Sequence, residues 1–445
     1  MSVASTNLMS GQWILTARAR LGATCGPLLR AMILAVGVLV GLFFCSPSFA
    51  ACSGGSPTWR AASAAQADVQ ACVTGASNGD TILVPAGIVS YSTAVDIPAS
   101  KCVTINGQGL VTVTSTLGFT METGTSCESR ITGFAFTGVS SNAPSTNILV
   151  TLQPGSFPGR IDHNTFNHSG TMIFIQVNNA DGNPFLIDHN TFTMGSASEC
   201  IHVLGANSGD NTGWTVKVAP GGPNMVFVED NTFNNLEITG ALCSLIESYY
   251  GAQTVIRYNT SNFCQIDQHG TAGYVGARWW EAYDNTFVAT GPQCCFITMR
   301  GGSGVIFDNH LLGTNPAGTP SNMIDLYYEP SGSFDWPGAW QPGSGINGDT
   351  NGHNSCPGPL NTAPAYIWGN DSTMTVSSQT PSYVEVNRDF FVSSTKPASM
   401  NWEESSGDSC STTYNYTPYT YPHPLQGSQG STLAPPSGLT AVVQQ

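Results

Sequence analysis

Arginine is scarce in this 445-residue chain after residue 50, with seven in all, yet Arg257, Arg278 and Arg300 fall within 44 residues. The same interval holds "SLIESYYG" (Glu247, Tyr249, Tyr250), "QIDQHG" (Asp267, His269) and "GARWWEAYD" (Arg278, Trp279, Trp280, Glu281). A guanidinium grips a carboxylate through two parallel hydrogen bonds, and aromatic rings stack on sugar faces. His269 and Tyr250 are candidate proton carriers. Together these are the groups that β-elimination of a uronic acid needs. Arg278 and Arg300 would neutralise the sugar carboxylate, His269, Tyr250 or Asp267 would move protons, and Arg257 and Glu281 would hold the substrate. The competing reading pairs the arginines with Glu247, Asp267 and Glu281 as structural bridges.

A second group is set by a repeat. "IDHNTF" occurs at Ile161–Phe166 and again at Ile187–Phe192, and related segments follow at "VEDNTF", "IRYNTS", "AYDNTF", "IFDNHL" and "IWGNDS". The shared asparagines are Asn164, Asn190, Asn231, Asn259, Asn285, Asn309 and Asn370, at steps of 26, 41, 28, 26, 24 and 61. Two places before them runs a column: Asp162, Asp188, Glu229, Arg257, Tyr283, Phe307 and Trp368. Side-chain alternation predicts that this column faces solvent. Like charges on adjacent strands repel, so Asp162 and Asp188 require a cation, an arginine or wide exposure.

The elements that position these residues are strands. A step of 24 to 28 residues marks a solenoid. Apolar residues stand three before and two after each asparagine, five apart, so the chain bends between them with the asparagine at the bend. Asparagine tolerates left-handed backbone and can form hydrogen-bonded ladders from layer to layer. The runs between anchors ("NILVTL", "MIFIQV", "CIHVL", "CFITM") are rich in Ile, Val and Phe and bounded by Gly, Asn, Ser and Pro, as strands are. Helical periodicity is absent. The pattern predicts an all-β chain folded as a single parallel β-helix, with strands stacked about 4.8 Å apart.

On these segments the chain resembles the right-handed parallel β-helix proteins of the pectin-lyase-like superfamily, over roughly residues 60 to 425. Within that group it is similar in texture to secreted bacterial repeat proteins. "AQADVQACVTGASNGDTILVPAG" reads as an amphipathic helix followed by a first strand, and in that superfamily such a helix caps the N-terminal end of the coil. The resemblance implies a polysaccharide or cell-surface glycan as partner, and a polysaccharide lyase or hydrolase of acidic glycans as activity. It also implies calcium as a possible cofactor, with Asp162 and Asp188 as its ligands. Paired-aspartate signatures of polygalacturonase-type hydrolases are missing. "IDHN" is similar to a pectate-lyase motif, but the arginine signature of those enzymes is missing too. A non-catalytic, adhesin-like solenoid is the alternative.

Composition limits the partners. Past residue 50 there are 10 basic and 28 acidic residues, a balance of −18, which argues against nucleic acid and anionic membranes. Residues 1–50 read as a signal peptide, with a basic stretch ending at Arg30, an apolar run Ala31–Phe44 and Ser48-Phe49-Ala50 before the cut. The apolar run is too short to favour a spanning helix. The expected location is secreted, with lipid anchorage through Cys52 in "FAAC" as the alternative. Export permits disulfides among the 11 later cysteines, which show no metal-binding spacing. Residues 51–425 form the expected β-helix domain and 426–445 a Gly/Ser/Pro tail. A long loop from Glu329 to Pro364 carries Trp336 and Trp340, a candidate sugar platform.

Overall fold

The computed structural model describes residues 51–124, 126–138, 146–168, 172–194, 199–205, 216, 218–235, 244–262, 264–269, 276–289, 295–313, 323–326, 364–378, 384–387, 389–402 and 412–427. The expected leader, the Trp336 and Trp340 loop and the tail from residue 428 lie outside these.

Each rung of the parallel β-solenoid contributes two short strands to one long sheet, on either side of the asparagine bend, and one strand to a second sheet. Gly159–Asp162 pairs in parallel with Phe185–Asp188, and Thr165–His168 with Thr191–Met194, so the two copies of the hexapeptide lie in register on consecutive rungs. The second sheet has ten strands among the described residues, from Val95–Ile97 to Val376–Ser377, all parallel. An antiparallel pair, Cys52–Gly55 with Thr58–Ala61, starts the chain of strands. Helix α1 (Gln66–Gly75) buries Val69, Cys72 and Val73 against the first rungs.

The ladder exists at every step. Asn164 donates from its backbone N and its Nδ2 to Asn190 Oδ1, at 3.0 and 3.1 Å. The same pair of bonds recurs from Asn190 to Asn231, and so on to Asn370. The long steps of 41 and 61 residues keep register at the asparagines. The bend differs in one respect from expectation. The left-handed residue is the one before each asparagine: His163, His189, Asp230, Tyr258, Asp284 and Asp308 have φ between 52° and 58°. At the last asparagine anchor this position is Gly369 (φ 65°), where a Cβ would stand 2.1 Å from Asp308 Oδ1. The asparagine amide instead pins the turn, as Asn190 Nδ2 donates to Ile161 O and Asp188 O. Two places on, Phe136, Phe166, Phe192 and Phe233 stack inside the coil with centroids 4.8–4.9 Å apart.

The column expected to face solvent is buried. Asp162, Asp188, Glu229, Arg257, Tyr283, Phe307 and Trp368 all point outward from the long sheet, but none is exposed. A second apolar cluster, including Phe227, Trp279, Phe307, Trp368 and Tyr416, lies there, separate from the coil interior. The C-terminal segment Tyr416–Gln426 covers it as a strap. Tyr419 O and Thr420 O accept from Arg257, Leu425 O accepts from Arg160, and the Tyr416 hydroxyl donates to Glu281.

Disulfides join Cys52 to Cys72 and Cys102 to Cys127, and Cys264 is also disulfide-bonded. The Cys52 sulfur is therefore not available for the lipid anchor considered above. Among the described residues no helix is long and apolar enough to cross a membrane.

Candidate functional site

The chemistry gathers on the outer face of the second sheet. Strands Glu199–Leu204, Ser244–Tyr249, Gln265–Gln268, Ile297–Met299 and Ile324–Leu326 pair so that His202, Glu247, Asp267, Thr298 and Asp325 form one column. The residue before each of them, Ile201, Ile246, Ile266, Ile297 and Ile324, is buried in the coil. Strand alternation therefore turns the column outward. Glu199 and Ser244 pair on one side of it. On the other side stand Tyr249, His269 and Arg300, with the Tyr249 and His269 rings 4.4 Å apart.

The contacts make a connected polar site. Ser244 Oγ donates to Glu247 Oε1 at 2.8 Å, and the Tyr249 hydroxyl donates to Glu247 Oε2 at 2.5 Å. Glu199 shares a hydrogen bond with the Glu247 carboxyl group. Arg300 donates from Nη2 to Asp267 Oδ2 and from Nη1 to His269 Nε2, the latter at 2.8 Å. His202 Nδ1 lies 3.6 Å from Glu199 Oε2.

Burial and like charge set the protonation. Partial burial, then the Glu247 and Asp267 carboxylates, push the Glu199 carboxyl up to about 8. Glu199 therefore keeps its proton at neutral pH. Burial drives His269 down to about 3, with Arg300 adding to the shift, so its ring is neutral and accepts from Arg300. Burial lowers His202 as well.

The sequence-predicted residues divide between two faces. Asp267, His269 and Arg300 come together on the second sheet. Tyr250 sits one residue beyond their register, in a left-handed turn (φ 54°), and Tyr249 occupies the place expected for it. The connections between the sheets differ in length, so distance from the asparagine does not give the register of this column. Arg257, Arg278 and Glu281 are fully buried, Arg257 and Glu281 on the outer face of the long sheet. Arg257 donates from Nε to Glu229 Oε2 at 2.6 Å and lies against the Phe227 and Tyr283 rings. Glu281 accepts from Trp279 Nε1, Tyr416 Oη and Gly221 N. Both serve structure, Arg257 with Glu229 in place of an expected partner, and the expected bridge that does form is Arg300–Asp267.

Asp162 and Asp188 do not fit calcium. Arg130 donates to both oxygens of Asp162, at 2.6 and 2.5 Å, and Arg160 to both oxygens of Asp188, at 2.8 and 2.7 Å. His163 and His189 bond the same carboxylates through Nδ1. A donor set already saturated by guanidinium N–H groups offers a cation neither charge nor lone pairs. Among the described residues no group of three or more His, Cys, Asp or Glu has the arrangement to hold a metal.

Glu199, Ser244 and His202 were not singled out from sequence. A signal existed: "IHV", "IES", "IDQ", "ITM" and "IDL" share an isoleucine followed by an outward residue. Aligning on that isoleucine rather than on the asparagine puts Glu247 and Asp267 in one column.

No protein-family model matches the chain, and no curated protein matches it. Among solved structures, an alginate lyase from Paenibacillus sp. str. FPU-7 is similar over 58% of this chain and 97% of its own, with 16% identity and a TM-score of 0.29. So loose a superposition carries nothing about chemistry.

Proposed function

We propose that this chain is an exported glycoside hydrolase working on the outer face of the second sheet, between Glu199 and Arg300. The observation that carries the reading is the hydrogen-bonded carboxyl pair Glu199–Glu247 with a third carboxylate, Asp267, one rung on. Ser244 and Tyr249 both donate to Glu247, which leaves the shared proton on Glu199. Glu199 then protonates the glycosidic oxygen as its bond to the anomeric carbon breaks. Asp267, ion-paired with Arg300, takes a proton from the water whose oxygen bonds to that carbon. A proton donor and a carboxylate acceptor on either side of a scissile bond are what glycoside hydrolysis requires. The disulfides suit an oxidising compartment, in keeping with the leader.

The test is incubation with a polysaccharide panel and sizing of the products. New reducing ends without ultraviolet-absorbing unsaturated products are expected. Glu199→Gln should lower the rate by about 100- to 10,000-fold, the usual worth of a positioned acid, with little change in melting temperature. Unsaturated products would replace the hydrolase with a lyase. Binding of a glycan by the parent protein without cleavage would leave the adhesin-like reading.

A further inference from the structure

We infer that the substrate of this site is an uncharged glycan and that uronate polymers are excluded, an inference that rests on the hydrolase reading above. The outward column of the second sheet runs Asp96, Thr120, Leu149, Gln176, His202, Glu247, Asp267, Thr298, Asp325. Beside it run Glu122, Thr151 and Asn178. Leaving out Glu199, which keeps its proton at neutral pH, the described outward acidic residues on this sheet are five carboxyl groups against one guanidinium, and Arg300 already binds Asp267. Burial keeps His202 and His269 from adding positive charge at neutral pH.

The arginines that would have recognised an acidic sugar are committed elsewhere. Arg130, Arg160 and Arg257 are bound to Asp162, Asp188 and Glu229 on the long sheet, and Arg278 is fully buried. A uronate carboxylate would therefore meet carboxylates with no uncommitted arginine among the described residues of this face to screen it, and on a partly buried face that repulsion is strong. The rungs on the N-terminal side of the carboxyl cluster offer hydrogen-bonding groups without charge. Thr151, Gln176 and Asn178 are half-buried, and Gln176 Nε2 donates to Asn178 Oδ1 at 2.9 Å, which orients both amides. Neutral amides and hydroxyls match sugar hydroxyls. The same argument favours hydrolysis over elimination, since elimination draws on the acidity that a uronate carboxyl gives the neighbouring C–H.

The experiment uses the full chain and its Glu199→Gln variant, with matched melting curves as the check on folding. Binding is measured by affinity electrophoresis on β-glucan, xylan and galactomannan, and on alginate and polygalacturonate, at low and high salt. The expected result is retention of the variant by at least one uncharged polymer, insensitive to salt, and cleavage of that polymer by the parent protein. Retention or cleavage on alginate or polygalacturonate, weakening as salt rises, overturns the inference while leaving the enzyme reading standing. A parent protein that cleaves none of the five overturns both. Should the variant fail to fold, cleavage by the parent protein decides alone.

Discussion

Glu199 carries a pH signature that can be read in two ways. Its carboxyl lies at about 8 in the fold against 4.5 for an ordinary glutamate. Between those values the native state holds a proton that the unfolded chain has released, so stability from this group falls as pH rises from about 4.5 to 8. The glutamine variant cannot titrate. The melting temperature of Glu199→Gln relative to the parent should therefore be higher at pH 8 than at pH 5, and equal differences at the two values would remove the shift. The side chain is 36% exposed, so the change is expected to be small. Activity depends on the protonated form, so kcat/KM should decline as pH passes upward through about 8. Three of the residues involved, Asp267, His269 and Arg300, were legible in the sequence because charged residues are rare in this chain. Glu199 was not, because one glutamate at the start of a strand means nothing until the neighbouring rung is stacked upon it.

At the scale of the element, the asparagine ladder is the feature that sequence described best. Asn231 accepts from Asn190 N and Nδ2 and donates to Ile187 O, Glu229 O and Asn259 Oδ1. Asn231→Ala would leave several buried backbone groups without partners, each costing about 1–3 kcal/mol. A total loss of about 3–5 kcal/mol is expected in chemical denaturation. Asn370, half-buried at the end of the ladder, accepts from Asn309 and donates to Ile306 O and Trp368 O. Asn370→Ala should cost about half as much, since fewer of its partners are dry. Equal costs would mean that the ladder does not act through burial. The seven anchors were visible because each rung must repeat the same turn. The left-handed residue was misplaced by one, since Asn, Asp and His all tolerate that geometry and the hexapeptide offers His and Asn side by side.

At the scale of the solenoid, the strap explains why a charged column lies dry. Buried ions survive only when paired and hydrogen-bonded. His423 N and Gln426 Nε2 donate to Glu229, and Tyr416 donates to Glu281, completing what the rungs begin. A chain ending before Tyr416 would lose these partners together and expose the outer apolar cluster. Removing one partner of a buried pair costs about 3–5 kcal/mol, so the truncated chain should melt well below the parent and be cut rapidly by protease. An unchanged melting curve would reduce the strap to a tail. By itself the sequence determined the β-solenoid, its anchors and the register beside them in the long sheet, because periodicity is a local property that each rung must satisfy. It also identified the region rich in arginine, aromatic and acidic residues. Only the tertiary structure decided which arginine stands beside the carboxyl column of the second sheet and which are sealed in. That depended on the strap, which returns to rungs about 160 to 260 residues earlier in the chain. It depended also on which residues of neighbouring rungs stack, and connections of unequal length hide that from any count along the chain.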